Sequence, residues 1–326
     1  MTNSTRRDLS GGRPPGGNRR SPRHGLLLVN AKSRRGAAAL GPAIAQLEEQ
    51  GLELTFRSTQ HPEDLPKIIE RHQDKVDCVI IGGGDGTLNA SLPGLMKTQL
   101  PLGILPLGTA NDLARTLGIP PELKGACDVI AQGYQHRIDV GLANKHPFFN
   151  VASLGLSVDI TERLTREAKK QWGVFAYLVA AAQTMLHSRP FRATIETEDE
   201  RFRVHTVQIA VGNGRFYGGG MAIAWDATID DGRLDLYSLE TRHWWDMLNI
   251  LPALYRGHLA QVAPARTLEA QRFHIKTARP QPINTDGEIS TQTPVLFEIQ
   301  RQAITVFSPP PQGAIGLYPP PKAPPI

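Results

Sequence analysis

The chain has 326 residues, 40% of them hydrophobic and 21% charged, and a formal net charge of +5. That length accommodates two domains with sizeable cores, and no apolar run approaches the ~20 residues that cross a bilayer. The excess charge sits in the first 24 residues, where Arg6, Arg7, Arg13, Arg19, Arg20 and Arg23 face only Asp8, so the formally neutral remainder is expected to carry no nucleic-acid groove.

Residues 1–23 are rich in Arg, Pro and Gly and hold no hydrophobic region, so they read as a disordered basic tail rather than a secretory signal. Anionic lipid is the partner such a tail could touch. Residues 26–30 read as a strand, 36–50 as a helix stopped by Gly51, and 52–57 as a second strand. Residues 62–72 form a helix opened by Pro62. The apolar run 76–81 is a third strand, followed by a helix from about Thr87. Residues 102–105 are a fourth, followed by a helix from about Asn111. This alternation implies a parallel sheet covered by helices.

Near 137–142 the pattern changes. Residues 192–211 read as a hairpin around Glu198-Asp199-Glu200, and 233–239, 268–277 and 295–300 alternate as strands do. Two helical stretches, 160–188 and 244–258, interrupt them. The longest apolar run, 173–186, carries Gln183 and Thr184 and reads as a buried helix. Trp244-Trp245 opens the second stretch, either in a core or on a membrane surface. From Ser308 the chain is proline-rich. The expected fold is a Rossmann-like α/β nucleotide-binding domain over 24–140, which 305–326 could rejoin, and a mostly antiparallel β-sandwich over 141–304. Cys78 and Cys127 make no disulfide framework, which suits a reducing cytoplasm.

Parallel sheets bind ligands at the carboxyl ends of their strands. Here those ends are Asn30-Ala31-Lys32-Ser33, Ser58-Thr59, Gly82-Gly83-Gly84-Asp85-Gly86-Thr87-Leu88-Asn89 and Gly108-Thr109-Ala110-Asn111-Asp112. Four segments are thus expected to converge on one crevice. The glycine run lets backbone N–H groups approach an anion, with the positive end of a helix aimed at the same spot. No Walker A pattern occurs. The Rossmann G-x-G-x-x-G also fails, because Asn89 stands where its last glycine would be. Zinc spacing and Gly-x-Ser-x-Gly are absent as well.

Gly83-Gly84-Asp85-Gly86-Thr87 with Asn89 resembles the signature of the diacylglycerol kinase catalytic superfamily, whose core NAD kinases share. Pro106 to Arg115, Ile138-Asp139-Val140-Gly141, Phe149-Asn150-Val151-Ala152 and Asp286-Gly287-Glu288 resemble further blocks of its lipid-kinase branch, in order. The resemblance is strongest to the soluble bacterial YegS-type kinases and covers about 26–304. The chain departs from it in the first loop, where Asn30-Ala31-Lys32-Ser33-Arg34 replaces Asn-Pro-x-Ser-Gly.

The resemblance implies an ATP-dependent kinase that phosphorylates a hydroxyl of a membrane lipid, such as diacylglycerol or phosphatidylglycerol, visiting the inner face of the membrane from the cytoplasm. It places ATP against Asn30, Thr59, Gly83, Gly84, Asp85, Gly86, Thr87, Leu88, Asn89, Thr109 and Asn111. Asp85, Asp112 and Asp139 are candidates for the Mg²⁺ neighbourhood, since magnesium takes one or two carboxylates plus phosphates. Thr87 and Asp112 could equally be helix caps, and Asp139 a turn residue. Glu288 is the candidate general base, with Asp286 beside it. Thr228, Asp231 and Arg233 resemble the ligands of a structural cation site, which Ca²⁺ would suit, or form a plain turn. Gly212-Asn213-Gly214-Arg215 and Gly218-Gly219-Gly220-Met221 are expected to line the cleft. An NAD kinase, another small-alcohol kinase, and a non-catalytic nucleotide or lipid binder are the alternatives. Oligomeric state is not legible.

Overall fold

The computed structural model describes residues 22–30, 33–59, 61–155, 190–214, 216–217, 221–222, 228–240 and 265–310. Residues 1–21 of the expected tail, the two expected helical stretches with Trp244-Trp245, Arg215, Gly218–Gly220 and the proline-rich end beyond 310 lie outside the described residues, whereas Arg23, the last residue of the expected tail, is ordered, its N–H donating to Asp77 Oδ2 at 3.0 Å.

The first half follows the expected alternation. β1 (His24–Val29) leads to α1 (Arg34–Glu49), β2 (Glu53–Ser58), a 3-10 turn at Pro62–Asp64 and α2 (Leu65–His72). Then come β3 (Cys78–Gly83), α3 (Asp85–Thr98), β4 (Leu102–Pro106) and α4 (Asp112–Thr116). Ser33 caps α1, its Oγ accepting the Gly36 N–H at 3.0 Å. α3 starts two residues earlier than the sequence suggests, because extended Gly84 is its N-cap and Asp85 occupies its first turn. α5 (Leu123–Gln132) was not anticipated. Its buried Ala126, Cys127 and Ile130 keep helical spacing, and left-handed Gly133 ends it.

The stretch 137–142 is inside a strand, β5 (Gln135–Ala143), which turns into β6 (His146–Phe148). The remaining strands are β7 (Val151–Gly155), β8 (Phe191–Glu196), β9 (Arg201–Thr206), β10 (Gln208–Gly212), β11 (Phe216–Tyr217), β12 (Met221–Ala222), β13 (Leu234–Leu239), β14 (Ala265–Ala270), β15 (Arg272–Thr277), β16 (Pro282–Thr285), β17 (Glu288–Gln292) and β18 (Val295–Phe307).

β1 to β4 form a parallel sheet in the order β2-β1-β3-β4. The long strand β18 extends it. Its far end runs parallel to β4 at Val306 and Leu102, and its near end pairs antiparallel with β15, which continues to β8 and β9. One ten-stranded mixed sheet therefore serves both halves of the chain. A six-stranded antiparallel sheet, β14-β13-β10-β7-β16-β17, makes the second layer of a sandwich. The filling between the layers includes Phe148, Leu154, Ile209, Val211, Leu236, Phe273 and Phe297.

Two apparently continuous alternations each divide between the layers. In the expected hairpin 192–211, β9 belongs to the large sheet and β10 to the small one. The Thr206 hydroxyl ties the crossover, its single proton shared between the Leu239 carbonyl at 2.7 Å and the Gln208 carbonyl at 2.8 Å. In 268–277 the break falls at Gln271, between β14 and β15. Period-2 patterning marks a half-buried strand but not the sheet it joins.

Candidate active site

The parallel register sets the carboxyl ends of the first four strands along one edge. Val29 stands beside Ser58 and Gly82, and Gly83 beside Pro106. Half-buried Asn30 follows β1 on this edge, and the buried Thr59 donates its N–H to the Val29 carbonyl at 3.2 Å. Thr59 and the glycine loop therefore share the expected crevice.

Two glycine-containing loops pack backbone on backbone there. The Leu107 N–H donates to the Gly83 carbonyl at 3.0 Å, and a Cβ on Gly108 would lie only 2.5 Å from the Gly84 Cα. No side chain fits at that crossing. Thr87 folds back over Gly83, whose Cβ position would be 2.8 Å from the threonine Cβ. The first-turn N–H groups of Asp85 and Gly86 thus stand at the positive end of α3, where a phosphate is favoured. Leu88 packs into the first core, and Asn89 lies in the next turn with its Oδ1 buried and unpartnered.

The second loop is closed by its own asparagine. Asn111, at φ 52°, accepts the Gly108 N–H through Oδ1 at 2.9 Å and donates Nδ2 to the Pro106 and Gly108 carbonyls. Its amide shapes the loop and leaves Thr109 exposed at the tip. Asp85 joins the loops by accepting the Leu113 N–H at 3.2 Å, while Asp112 is buried at the start of α4. Arg35, which the sequence reading did not single out, donates Nη1 to the Gly108 carbonyl and sets a cation at this edge. The basic run Lys32-Ser33-Arg34-Arg35 after β1 was the signal for it.

The Asp286-Gly287-Glu288 turn joins β16 to β17. Asp286 is left-handed at φ 47°, and its carboxylate is saturated by backbone. Oδ2 accepts the Phe149 N–H at 2.6 Å, and Oδ1 accepts those of Asn150 and Val151 at 3.0 Å each. Burial pushes its pKa up to about 6 against those three donors, and the nearby Asp85 charge adds to the rise. Asp286 is thus the anchor of the turn. It leaves Glu288 exposed, with Oε1 3.9 Å from the place a Cβ would take on Gly86. The late acidic turn and the glycine loop face each other. Asn213 holds the same corner by donating Nδ2 to the Phe149 and Asp139 carbonyls, and Gly214 lies against Asn150.

Asp139 belongs to a different cluster. It is 1% exposed. Its Oδ2 accepts the Gly232 N–H at 2.7 Å and its Oδ1 the Gln302 N–H at 2.6 Å, tying β5 to the 228–233 turn and to the irregularity in β18. In that turn Asp231 accepts the Arg233 N–H at 2.9 Å. Burial raises the Asp231 pKa, and the charges of Asp139 and Asp230 raise it further. Asp230 is held below its usual value, chiefly by the His136 hydrogen bond at 2.9 Å. Asp231 with the carbonyls of Thr228 and Arg233 is the oxygen set a hard cation takes. Among the described residues no three His, Cys, Asp or Glu side chains form a metal cage by themselves.

The family model for the diacylglycerol kinase catalytic domain matches residues 24–143, and that for the YegS C-terminal NAD kinase beta sandwich-like domain matches 150–308. A Shewanella frigidimarina protein named "Probable lipid kinase YegS-like" is 32% identical over 297 residues, which cover 88% of this chain and 94% of that protein. A Staphylococcus saprophyticus diacylglycerol kinase is 29% identical over 273 residues, 83% of this chain and 90% of that one. The crystal structure of a Bacillus anthracis diacylglycerol kinase superposes with a TM-score of 0.75 at 26% identity, covering 90% of this chain and 99% of its own.

Proposed function

The chain belongs to the diacylglycerol kinase family, in its YegS-like lipid-kinase branch, and from that we propose how its residues transfer the γ-phosphoryl group of ATP to the hydroxyl of a membrane lipid. The observation that carries the assignment of roles is Glu288 Oε1 facing Gly86 at the start of α3.

The α3 N-terminus and the Gly83–Thr87 loop hold the ATP phosphates, with Thr59, Thr109 and Arg35 along the same edge. Glu288 accepts the proton of the lipid hydroxyl as its oxygen bonds to the γ-phosphorus, and the bond from that phosphorus to the β-γ bridging oxygen breaks, releasing ADP. Asp286 holds the base in place through its three backbone bonds. Mg²⁺ fits at Asp85, one of whose oxygens is committed to Leu113, with Asp112 buried next to it. When bound, it neutralises phosphate charge. A second, structural cation fits at Asp231. The enzyme works as a cytoplasmic protein that touches the inner face of the membrane. No helix among the described residues is long and apolar enough to cross one.

The test is purified protein with ATP-Mg²⁺ and mixed lipid micelles, read as labelled lipid, with NAD as a control acceptor. Labelled lipid that disappears with Glu288→Gln supports the assignment. Unchanged transfer by that variant removes Glu288 from it, and phosphorylation of NAD without any lipid overturns the acceptor class.

A further inference from the structure

β18 carries its irregularity where it passes from the sandwich into the parallel sheet. On one side Phe297 pairs with Phe273 of β15, and on the other Val306 pairs with Leu102 of β4. Between them Gln300 stands opposite Val140 and Ile304 opposite Ile138, so Arg301, Gln302 and Ala303 share the single partner position of Asp139. A bulge of this kind bends its strand and sets the twist on either side. Its middle residue, Gln302, is left-handed at φ 48°, a conformation that a residue with a side chain keeps only where its surroundings hold it.

Three side chains do the holding. Asp139 accepts the Gln302 N–H from the buried side. From the solvent side, Arg137 donates to the Gln302 carbonyl through Nη2 and through Nε at 3.1 Å. Gln99 donates Nε2 to the Ala303 carbonyl at 2.9 Å, and its Oε1 accepts from Arg137 Nη2 at 3.3 Å. Gln99 is itself left-handed at φ 58° and is the C-cap of α3, where its own N–H donates to the Leu95 carbonyl at 2.8 Å. It therefore bolts the end of that helix to the bulge. The other end of α3, 14 residues or ~20 Å away, is the turn that faces Glu288.

We propose that Arg137 and Gln99 are positioning residues for the phosphoryl transfer, and that by locking the bulge of β18 against the end of α3 they set the gap across which Glu288 meets the phosphates. This rests on the kinase reading above and deepens it. Glu288 is carried by the sandwich and the phosphate loop by α3, and β5 and β18 are the paired strands that run through both halves. A change of bend at the bulge is therefore delivered to the gap. A misplacement of about 1 Å at the reacting atoms costs up to ~10²-fold in rate, even from a site far from the chemistry. Arg137 and Gln99 are both exposed and belong to neither core. Removing either side chain leaves the packing of both halves intact.

The experiment assays the full chain with ATP-Mg²⁺ and dioctanoylglycerol in mixed micelles, beside a calorimetric ATP titration. Arg137→Ala and Gln99→Ala are each expected to lower kcat roughly tenfold at unchanged ATP affinity. The double variant is expected to be no slower than Arg137→Ala, because both changes release the same bulge. Arg137→Lys keeps one donor for the Gln302 carbonyl and is expected to recover part of the rate. Spin labels on Asp74→Cys, beyond α2, and Asp199→Cys, in the β8–β9 turn, read the spacing of the two halves, since the native Cys78 and Cys127 are buried. One narrow distance is expected with Arg137 in place and a broader distribution with Arg137→Ala. Wild-type kcat in Arg137→Ala, or a lowered kcat with an unbroadened distance, overturns the proposal and leaves the kinase reading standing. So does an ATP affinity that falls in step with kcat, because the phosphate loop itself would then be disturbed. A wild type that phosphorylates no lipid removes both.

Discussion

Glu288 and Gly86 come from opposite halves of the sequence, yet the glutamate Oε1 lies 3.9 Å from where a β-carbon on that glycine would stand. The contact sets a carboxylate against the first turn of α3, where the phosphates of a nucleotide are best held. It also bears on the glycine at position 86. A larger side chain at position 86 would compete with the carboxylate for the space between them.

Removing the proposed base should act on chemistry alone. Glu288 is exposed and is not part of either core, so Glu288→Gln is expected to fold normally and bind ATP as the wild type does. Its kcat should fall by ~10²–10⁴. Kinase assay, calorimetric ATP titration and a melting curve on one preparation check all three.

The two glycine loops should tolerate methyl groups very differently. Gly108→Ala drives a Cβ to 2.5 Å from the Gly84 backbone, where nothing flexible can yield. A loss of ~1–3 kcal/mol of stability and weaker ATP binding are expected. Gly86→Ala meets only ordinary contact at 3.9 Å and should keep wild-type stability while slowing transfer. Equal melting temperatures for the two variants would contradict this packing.

Asp286 makes stability depend on pH in the direction opposite to an ordinary paired carboxylate. Its folded pKa is raised from 3.8 to about 6, so the folded state favours the protonated form. Its contribution is therefore largest below the unfolded pKa and is lost as pH rises through about 6, by up to roughly 3 kcal/mol. Asp286→Asn cannot titrate. The wild type's advantage over this variant in urea unfolding should grow as pH falls from 7 to 4.

Asp139 is expected to act as scaffold. Its two oxygens accept the Gly232 and Gln302 N–H groups from full burial. Asp139→Asn sets a donor against one of those donors, which should cost about 2–4 kcal/mol in the melt. ATP affinity should be unchanged below the lowered melting temperature.

The 228–233 turn should respond to divalent cations. Burial and the charges of Asp139 and Asp230 disfavour the Asp231 carboxylate, and a bound cation relieves both. Millimolar Ca²⁺ or Mg²⁺ is expected to raise the melting temperature of the wild type by a few degrees, roughly 1 kcal/mol of linkage, and not that of Asp231→Ala. Equal shifts in the two proteins would place the cation elsewhere.

Much of the first layer was legible because its determinants are local. The apolar runs of β1, β3 and β4 and the glycines after them specify strand, turn and helix start within a few residues, and the four polar strand ends on one edge follow from parallel topology. β18 was less legible. Only its first residues, 295–300, read as a strand, since the rest begins with Arg301-Gln302 and an irregularity that breaks the alternation. Asn111 and Asp286 were named as site residues from their motifs. The structure adds that Asn111 staples its own loop and that Asp286 anchors its turn to the Phe149–Val151 backbone, more than 130 residues away along the chain.

The order of strands, the glycine turn, the acidic turn and the type of chemistry were set by the chain's own residue pattern, because short-range sterics and hydrogen bonding act between near neighbours. That the two turns oppose each other and that β18 joins both halves into one sheet were decided by the tertiary structure alone. Those relationships come from two buried cores fixing distant segments against each other, and no spacing along the sequence encodes the distance across a sandwich.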